Sequence, residues 1–512
     1  MKNFLYSFWI LQFFVVIEPV KAQNIQWQRC YGGTSDDDAK CIIQTFDGNI
    51  LFTGRVSSND RDALGNQGQS LWSVKLDQIG NILWSKYYGA TLGSEHGYSV
   101  IETQDHGFLY FGDASRNGQI VSGIHGFSDY WILKTDSIGN FEWQKCIGGF
   151  DVEYPSTIKS TMDGGYIVIG STDSFDGDID SAYGNQDAFV AKLNSSGSLE
   201  WTKILGGLGH DIGNDILSTN DGGYFAVCGV DGFAYPYPGN HGGADGVLYK
   251  LDSVGNILWE RSYGGSGADV AERIISTSDG NFVIGAITSS QDGDITGVPV
   301  AEDLWLFKID NAGTILWDYC YGEYQNDGLG DLKETSDHGF IACGTTGSIC
   351  FGFRNYFVLK IDSVGNELWR NCFGGSLDEF ANSVIQTSDS TYLVAGVTKS
   401  MDGNISYNHG NEDAWIISIG NSSTGIDELT PNSISEFSCQ LTDNGLEIKF
   451  VSKQIMPIYL TVSDLLGRDL TQENKNAILG ENKINIEVPI SSGVYLIQLA
   501  TSYGNFTKKL FK

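Results

Sequence analysis

Residues 187–229 read DAFVAKLNSSGSLEWTKILGGLGHDIGNDILSTNDGGYFAVCG, and residues 245–285 repeat the pattern as DGVLYKLDSVGNILWERSYGGSGADVAERIISTSDGNFVIG. Each copy holds four short apolar runs separated by turns rich in Gly, Asn and Asp, which is typical of strands joined by hairpins. The run DAFVAKL is apolar on both faces, so it should be covered on both sides. No helical period of useful length is present. We therefore predict an all-β repeat.

One tryptophan per copy marks the same unit along most of the chain. These tryptophans follow one another at intervals of 52 to 59 residues, and an aspartate of the inner hairpin turn recurs with the same period. A fixed period over this length indicates a repeat architecture. The tryptophans are Trp27, Trp84, Trp143, Trp201, Trp259, Trp317 and Trp369, and the turn residues are Asp47, Asp105, Asp163, Asp221, Asp279, Asp337 and Asp389.

The two ends of the repeat array complement each other. NIQWQRCYGG at 24–33 is a return strand with no unit before it, and the last unit stops at Gly420 without a return strand. A ring closes if the strand of Trp27 completes the blade formed by residues 381–420, whereas an open solenoid would need a cap at each end. We predict a seven-bladed β-propeller over residues 23–420, with four-stranded blades closed by the N-terminal strand.

The repeat resembles a family of seven-bladed β-propellers found in secreted bacterial proteins. The residues that carry the resemblance are the D-A-F-V-A-K-L-x-x-x-G-x-x-x-W-x-x-x-x-G-G core and the D-G-G-Y hairpin. The resemblance implies the fold and little about activity. The Asp-x-x-Gly-x-x-x-Trp part also looks like the tryptophan motif of quinoprotein propellers, but no haem motif accompanies it and the first family matches at more positions.

The period stops at Asn421, where residues 421–432 read as a linker, and residues 433–512 form a predicted small Ig-like β-sandwich. This tail resembles the type A C-terminal sorting domain of the type IX secretion system in Bacteroidetes. The resemblance rests on Asp464-Leu-Leu-Gly467-Arg468, Gly493-Val494-Tyr495 and Lys508-Lys509-Leu510, although Pro489 precedes the Gly-Val-Tyr stretch at an unusual distance. It implies the secretion machinery as a partner and export across the outer membrane. An ordinary adhesive sandwich is the alternative.

Residues 1–22 have the three parts of a secretory signal, with Lys2, an apolar run from Phe4 to Ile17, and small residues before the cut. We expect cleavage near Gln23, no transmembrane segment afterwards, and a protein that is secreted or attached to the outer-membrane surface. The formal net charge is −32, and almost all of the excess lies in the repeats. Such a surface repels nucleic acid and favours cations or neutral ligands. The nine cysteines are expected to be buried thiols, because equivalent repeat positions lie too far apart for disulfides.

Acidic loops are the candidate metal sites. Asp176, Asp178 and Asp180 lie in an Asp-x-Asp-x-Asp pattern that returns in part at Asp292 and Asp294. Several oxygens on a bent loop suit calcium, and solvated turn residues are the alternative. The His-Gly-x-x-Asp pattern at His125, His241 and His409 is interpreted as polar loop residues, because blades so far apart rarely converge on one metal.

Aromatic residues are the candidate ligand-binding positions. Tyr235 and Tyr237 lie in the loop FAYPYP of the fourth unit, where prolines would keep aromatic planes stiff for stacking on a carbohydrate. We predict a surface or secreted module that binds a glycan, matrix or protein ligand. The alternative is a carbohydrate-active hydrolase or lyase with carboxylates in the propeller channel. The sequence nominates no catalytic residue, since no motif selects a pair among its many acidic side chains.

Overall fold

The computed structural model describes residues 23–91, 93–179, 182–230, 241–297, 299, 301–322, 326–347, 352–421, 434–442, 445–452, 456–464, 469–478, 480–487, 494–501 and 504–511. Within these ranges the chain is all-β, apart from one 3-10 turn at Arg61–Ala63. It separates into two compact units that divide between residues 422 and 423.

The described residues of the first unit form 28 strands, β1 to β28, in chain order. Strand β1 (Gln23–Tyr31) is followed by six groups of four strands and one group of three. The groups are β2–β5 (Cys41–Gln44, Ile50–Val56, Ser70–Leu76, Ile82–Tyr88), β6–β9 (Glu95–Glu102, Phe108–Ala114, Asp129–Thr135, Phe141–Ile147), β10–β13 (Glu153–Ser160, Tyr166–Thr172, Asp187–Leu193, Leu199–Leu205), β14–β17 (Asp211–Ser218, Tyr224–Val230, Asp245–Leu251, Ile257–Tyr263), β18–β21 (Asp269–Ser276, Phe282–Thr288, Asp303–Ile309, Ile315–Tyr321), β22–β25 (Asp327–Glu334, Phe340–Thr346, Asn355–Ile361, Glu367–Phe373) and β26–β28 (Glu379–Gln386, Tyr392–Thr398, Asp413–Asn421).

These strands form seven four-stranded antiparallel sheets, an arrangement that supports the predicted β-propeller. Six sheets run in simple chain order, and the seventh has the order β1-β28-β27-β26. In that sheet Gln23 pairs with Asn421 and Tyr31 pairs with Ala414. The four runs of the stretch 187–229 are β12 to β15, as predicted, but they belong to two neighbouring sheets because each sheet begins at its inner hairpin.

The apolar core lies between adjacent sheets and is built on the third strand of each sheet. Strands β4, β8, β12, β16, β20 and β24 are buried along their whole length, which confirms that this run is covered on both faces. The fully buried tryptophans of the unit lie on third strands, at Trp72, Trp131, Trp305 and Trp415.

The repeat tryptophans on the fourth strands are half-buried, and Trp27, Trp201 and Trp259 pack against the margins of the apolar clusters. Six of the seven also pack against the hairpin-turn glycine of the next sheet, and that glycine has a positive φ. A side chain at such a glycine would meet the indole or the tyrosine beside it. The described pairs are Trp27–Gly80, Trp84–Gly139, Trp143–Gly197, Trp201–Gly255, Trp259–Gly313 and Trp317–Gly365.

Replacing Gly197 by Ala tests this contact between sheets. Gly197 has φ +80°, and a Cβ there would overlap the ring of Trp143. Gly164 has the same φ of +80° but faces open space, so Gly164→Ala is the matched control. The control should lose about 1 kcal/mol of unfolding free energy from backbone strain, and Gly197→Ala should lose about 1–3 kcal/mol more from overpacking. Equal denaturant midpoints for the two variants would contradict the packing role.

The second unit contains a three-stranded and a four-stranded sheet. The first has the order β29-β30-β33 and the second the order β32-β31-β34-β35. Its described buried apolar side chains include Ile448, Val462 and Ile497. The strands are β29 (Ile434–Thr442), β30 (Gly445–Ser452), β31 (Met456–Asp464), β32 (Asp469–Ala477), β33 (Gly480–Glu487), β34 (Val494–Thr501) and β35 (Gly504–Phe511).

Two further features bear on the sequence predictions. Cys372 is disulfide-bonded, so the expectation of thiols is wrong at this position, whereas the buried Cys30, Cys228 and Cys343 are thiols as expected. Within the described residues, none of the helical segments reaches the length and apolar character that a membrane span requires.

Candidate functional site: a cavity shared by seven sheets

A cavity of about 220 Å³ is lined by side chains from the first strand of every sheet of the first unit. Each of these strands places the residue at the same repeat position in the cavity wall. These residues are Cys41, Ser99, Thr157, Asp215, Arg273, Asp331 and Ser383. We call this space the shared cavity.

Beta-bulges shape the wall of the shared cavity. Six first strands carry a register shift just before the lining position, for example between Gly97 and Ser99 and between Ala271 and Arg273. The remaining four lie between Pro155/Thr157, Gly213/Asp215, Leu329/Asp331 and Ala381/Ser383. A bulge inserts one residue and re-aims a side chain. Repetition of the bulge therefore presents a side chain at the same repeat position of each of these strands to the cavity.

Some lining side chains also bind the backbone of the following sheet. Asp331 Oδ2 accepts hydrogen bonds from Val384 N at 3.1 Å and Ser383 Oγ at 3.0 Å. Asp215 Oδ2 accepts one from Ile274 N at 3.1 Å. A buried amide without a partner is costly, so these carboxylates hold neighbouring first strands together.

The charge of the shared cavity is opposite to that of the chain. Four basic residues line it, namely Lys40, Lys159, Arg273 and Lys333, against the two acidic residues Asp215 and Asp331. Lys159 Nζ lies 3.3 Å from Asp215 Oδ1, and Lys333 pairs with Asp331. Within the described part of the chain, no carboxylate lies within ion-pair distance of the Arg273 guanidinium, which donates one hydrogen bond, to the carbonyl of Glu272 at 2.8 Å.

The lining carboxylate Asp331 is poorly suited to donate a proton. Burial raises the pKa of Asp331, but the charges of Lys333 and Arg273 outweigh it and leave the pKa lowered. A general acid needs the opposite shift. The raised carboxyl nearby is Glu272, whose pKa burial brings to about 7 against the opposing charge of Arg273.

A second cavity of about 300 Å³ adjoins the shared cavity and has five of the same lining residues, which are Lys40, Tyr98, Ser156, Arg273 and Asn382. We call it the basic mouth. Its lining adds the half-buried ring of Phe380 and the side chain of Thr345. None of the described residues that line the basic mouth is acidic. The mouth therefore combines two cations, two aromatic rings and several neutral hydrogen-bonding groups.

The acidic loops proposed for calcium lie away from the shared cavity and hold loops of the preceding sheet. Asp176 Oδ1 accepts a hydrogen bond from Phe150 N at 2.8 Å, and Asp292 Oδ1 accepts one from Ser266 N at 2.7 Å. Asp178 and Asp294 accept longer bonds from backbone amides at Gly148 and Gly264 respectively. Asp180 lies outside the described residues. No group of three or more His, Cys, Asp or Glu side chains within the described ranges is arranged to hold a metal ion.

The His-Gly-x-x-Asp residues meet these loops. His125 Nδ1 lies 2.7 Å from Asp129 Oδ2, and its Nε2 lies 4.0 Å from Asp178 Oδ2. His241 Nδ1 likewise lies 4.0 Å from Asp294 Oδ2. The sequence does not connect the His-Gly-x-x-Asp pattern with the acidic loops, but the structure brings the two together at loops between neighbouring sheets.

The remaining predicted site residues are only partly described. Tyr235, Tyr237, Gly467 and Gly493 lie outside the described residues. Val494 and Tyr495 begin β34, where Tyr495 pairs with Asp464 on one side and with Leu510 on the other. Lys508 and Lys509 pair with Ile497 and Leu496 on the same sheet. The backbone therefore places three pieces of the sorting-domain resemblance beside one another.

No sequence motif singles out the residues that line the basic mouth. Lys40, Tyr98, Arg273 and Asn382 differ in type from copy to copy, so no repeated motif marks them. The signal that was available is their repeat position: Tyr98 and Asn382 lie within the bulge of their first strands, Arg273 directly follows one, and Lys40 immediately precedes β2. A repeat protein varies its ligand contacts at positions where the residue type differs from copy to copy.

No protein-family model matches this chain. No curated protein matches it either.

Several solved structures are similar to the chain in shape. A puromycin hydrolase aligns with a TM-score of 0.44 and 11% identity over 82% of this chain and 59% of its own, so the chain spans less than two thirds of that protein. The GH93 α-L-arabinofuranosidase of Fusarium graminearum, solved with arabinobiose, aligns with a TM-score of 0.36 and 10% identity over 76% of this chain and 97% of its own. At TM-scores below 0.5 these alignments carry no argument about the activity of this chain.

Proposed function

We propose that residues 23–420 form a closed seven-bladed β-propeller that binds an extracellular ligand in the basic mouth. Three observations support closure. Strand β1 completes the sheet of β26–β28. Trp27 packs on Gly80 as the other repeat tryptophans pack on their turn glycines. Ile42 N donates to Ser383 Oγ at 3.3 Å, which joins the first strands of the first and last sheets.

Ligand binding is the function that the geometry supports best. The single observation that carries it is the basic mouth, where polar and aromatic side chains from different first strands converge on one concave space. Ligand sites combine apolar walls with a few convergent polar groups in this way. We propose a glycan or matrix component as the ligand, because aromatic rings beside amide and hydroxyl groups suit sugar rings.

We also propose that the protein works outside the cell and is delivered by its tail, an Ig-like sandwich that serves as a type IX sorting domain. The disulfide at Cys372 supports an oxidising compartment. The pairing of Asp464, Tyr495 and Leu510 on one sheet supports a common role for the tail motifs. Deleting residues 433–512 in a bacterium that carries this secretion system should leave the protein in the periplasm, and export of the shortened chain would overturn this part of the proposal.

A carbohydrate-active enzyme is the second candidate. Glu272 favours it, because a carboxyl with a pKa of about 7 is suited to general acid catalysis near neutral pH. The engagement of Asp215 and Asp331 with lysines and backbone amides favours binding without cleavage.

Incubation of the full chain with a panel of polysaccharides tests the two candidates together. Both retention of each polysaccharide and the appearance of new reducing ends are followed. We expect retention without new reducing ends. New reducing ends that disappear in Glu272→Gln would establish the enzyme instead, and neither retention nor cleavage of any member would contradict a glycan ligand.

A further inference from the structure

The charge of the basic mouth narrows the ligand class beyond what the surface charge suggests. A chain with a net charge of −32 is expected to favour cations or neutral ligands on its surface. The mouth instead presents Lys40 and Arg273 with no acidic residue among its described lining. A local charge opposite to the global one has to be maintained against the field of the whole protein, so it points to an anionic group on the ligand.

Arg273 is one of the two basic residues that line both cavities. It follows the bulge of β18, so its side chain reaches a wall shared by both cavities. Its one described hydrogen bond uses Nη1, and the remaining donors of the guanidinium have no described partner. A guanidinium has five donors in a planar fork that matches a carboxylate in two parallel hydrogen bonds.

Lys40 supplies the second cation from the residue that immediately precedes the first strand β2. Its Nζ lies 3.9 Å from Asp38 Oδ2, but Arg55 shares the same carboxylate oxygen at 3.6 Å. The ammonium is therefore only partly neutralised within the protein. Asn382, whose amide donates to the carbonyl of Ala39 at 2.8 Å, fixes the wall beside it.

Aromatic rings indicate that the anionic group belongs to a ring-shaped molecule. Tyr98 and Phe380 both line the mouth and are half-buried. Arg354 lies 5.4 Å from the centroid of Phe380, which holds that ring in place by a cation–π contact. A sugar ring can pack on such a surface while its substituent reaches the cations.

We propose that the basic mouth binds the carboxylate of a uronic-acid sugar, with Arg273 and Lys40 as the anion-binding residues and Tyr98 and Phe380 as the packing surface. This inference rests on the proposed binding function and names its ligand class. The acidic exterior of the repeats repels a long polyanion, so the recognised unit is a short oligosaccharide or a chain end that enters the mouth.

Titration calorimetry of the full chain with galacturonic acid trisaccharide tests the inference. The methyl ester of the same trisaccharide, which has no charge, is the ligand control, and a sulfated neutral trisaccharide distinguishes carboxylate from sulfate. We expect one site per chain, binding of the acid at least 10-fold tighter than of the ester, and weaker binding of the sulfated sugar. Equal affinity for acid and ester, or tighter binding of the sulfated sugar, would overturn the inference.

Variants connect the affinity to the mouth. Arg273→Gln should weaken binding of the acid by roughly 10- to 100-fold, and Arg273→Lys should recover only part of the loss because an ammonium lacks the planar fork. Arg370→Gln makes the same charge change on the outer strand β25 and should bind as the unchanged protein does. Thermal melting of each variant shows that it folds. Loss of binding in Arg370→Gln equal to that in Arg273→Gln would contradict the assignment.

The outcomes separate this inference from the proposed function. Retention of neutral glycans with no effect of Arg273→Gln would overturn the uronate site and leave the binding function standing. Absence of binding to every sugar, charged or neutral, would overturn both.

Discussion

Deleting residues 23–31 is expected to unfold the first unit. Strand β1 is the fourth strand of its sheet, and its residues Cys30 and Tyr31 are buried in the apolar core. Tyr31 Oη also donates to the carbonyl of Gly80 at 2.6 Å, across to the first sheet. Loss of these contacts should cost more than ~5 kcal/mol, which is the whole stability of many domains. The unpaired edge of β28 should also cause aggregation. Denaturant unfolding and light scattering of the full chain check this.

A rearranged chain provides the matched control for the deletion. Gln23 pairs directly with Asn421, so residues 23–33 can follow residue 421 through a copy of the five-residue turn 362–366. That turn joins Ile361 to Glu367 in the same way in the preceding sheet. The rearranged chain should recover cooperative unfolding within ~1 kcal/mol of the original. A deletion variant that unfolds at the original midpoint would contradict the pairing of β1.

The second large effect is an unusual dependence of stability on pH. Burial raises the pKa of Glu95 and Glu153 to about 7, and that of Asp245 and Asp413 to about 6. A raised folded-state pKa means that the native protein holds these protons more tightly than the unfolded chain. Their stabilisation is complete below the ordinary carboxyl pKa and is lost as the pH rises towards 7.

The aspartates of the inner hairpin turns act in the opposite direction at lower pH. Hydrogen bonds from Thr161 and Lys192 lower the pKa of Asp163 to about 2, and Asp105 and Asp221 behave similarly beside Lys134 and Lys250. Their stabilisation is present above the ordinary aspartate pKa and is lost as the pH falls through that range. Unfolding free energy should therefore peak near the ordinary carboxyl pKa, at about pH 4, and decline by several kcal/mol by pH 8.

Glu153→Gln isolates one contribution to this decline. Glutamine keeps the acceptor for Thr172 Oγ1, which lies 2.8 Å from Glu153 Oε1, and it resembles the protonated acid. The variant should remove roughly 3 kcal/mol of the difference in unfolding free energy between pH 5 and pH 8. Glu367→Gln, at an exposed pair with Arg370, changes the net charge equally and should leave the difference as it is. Urea unfolding across this range is the measurement, and a steeper decline in Glu153→Gln would contradict the account.

The strands could be predicted from the sequence because their signals are local. The run of Asp187–Leu193 is apolar on both faces, and the return strand and its turn follow at a constant distance in each copy. The pairing of Trp27 with Ser418 across the first unit was also accessible, because one end of the array lacked the strand that the other end had spare. The role of the repeat tryptophans was not accessible, since only the structure shows that Trp143 lies on a glycine of the next sheet.

The site was largely hidden because it depends on bulges and on convergence. Nothing in the run around Arg273 indicates that the strand shifts register there, and the other cation of the mouth comes from a sheet four units away in sequence. The negative net charge of the chain also gave the wrong sign for the charge of the basic mouth, because an average over the chain does not describe a cavity lined by a few residues. The acidic loops were predicted as calcium sites because of their composition. In the structure, carboxylate oxygens of these loops accept hydrogen bonds from the backbone amides of Phe150 and Ser266.

Residue-resolved amide hydrogen exchange of the full chain, with and without galacturonic acid trisaccharide, tests the central claim of a closed ring around one ligand-binding cavity. Amides of β1 should exchange as slowly as those of the equivalent strand β13. Addition of the trisaccharide should slow exchange in the first strands β6, β18 and β26 around the mouth. Rapid exchange throughout β1, or protection confined to loops far from these strands, would contradict the account.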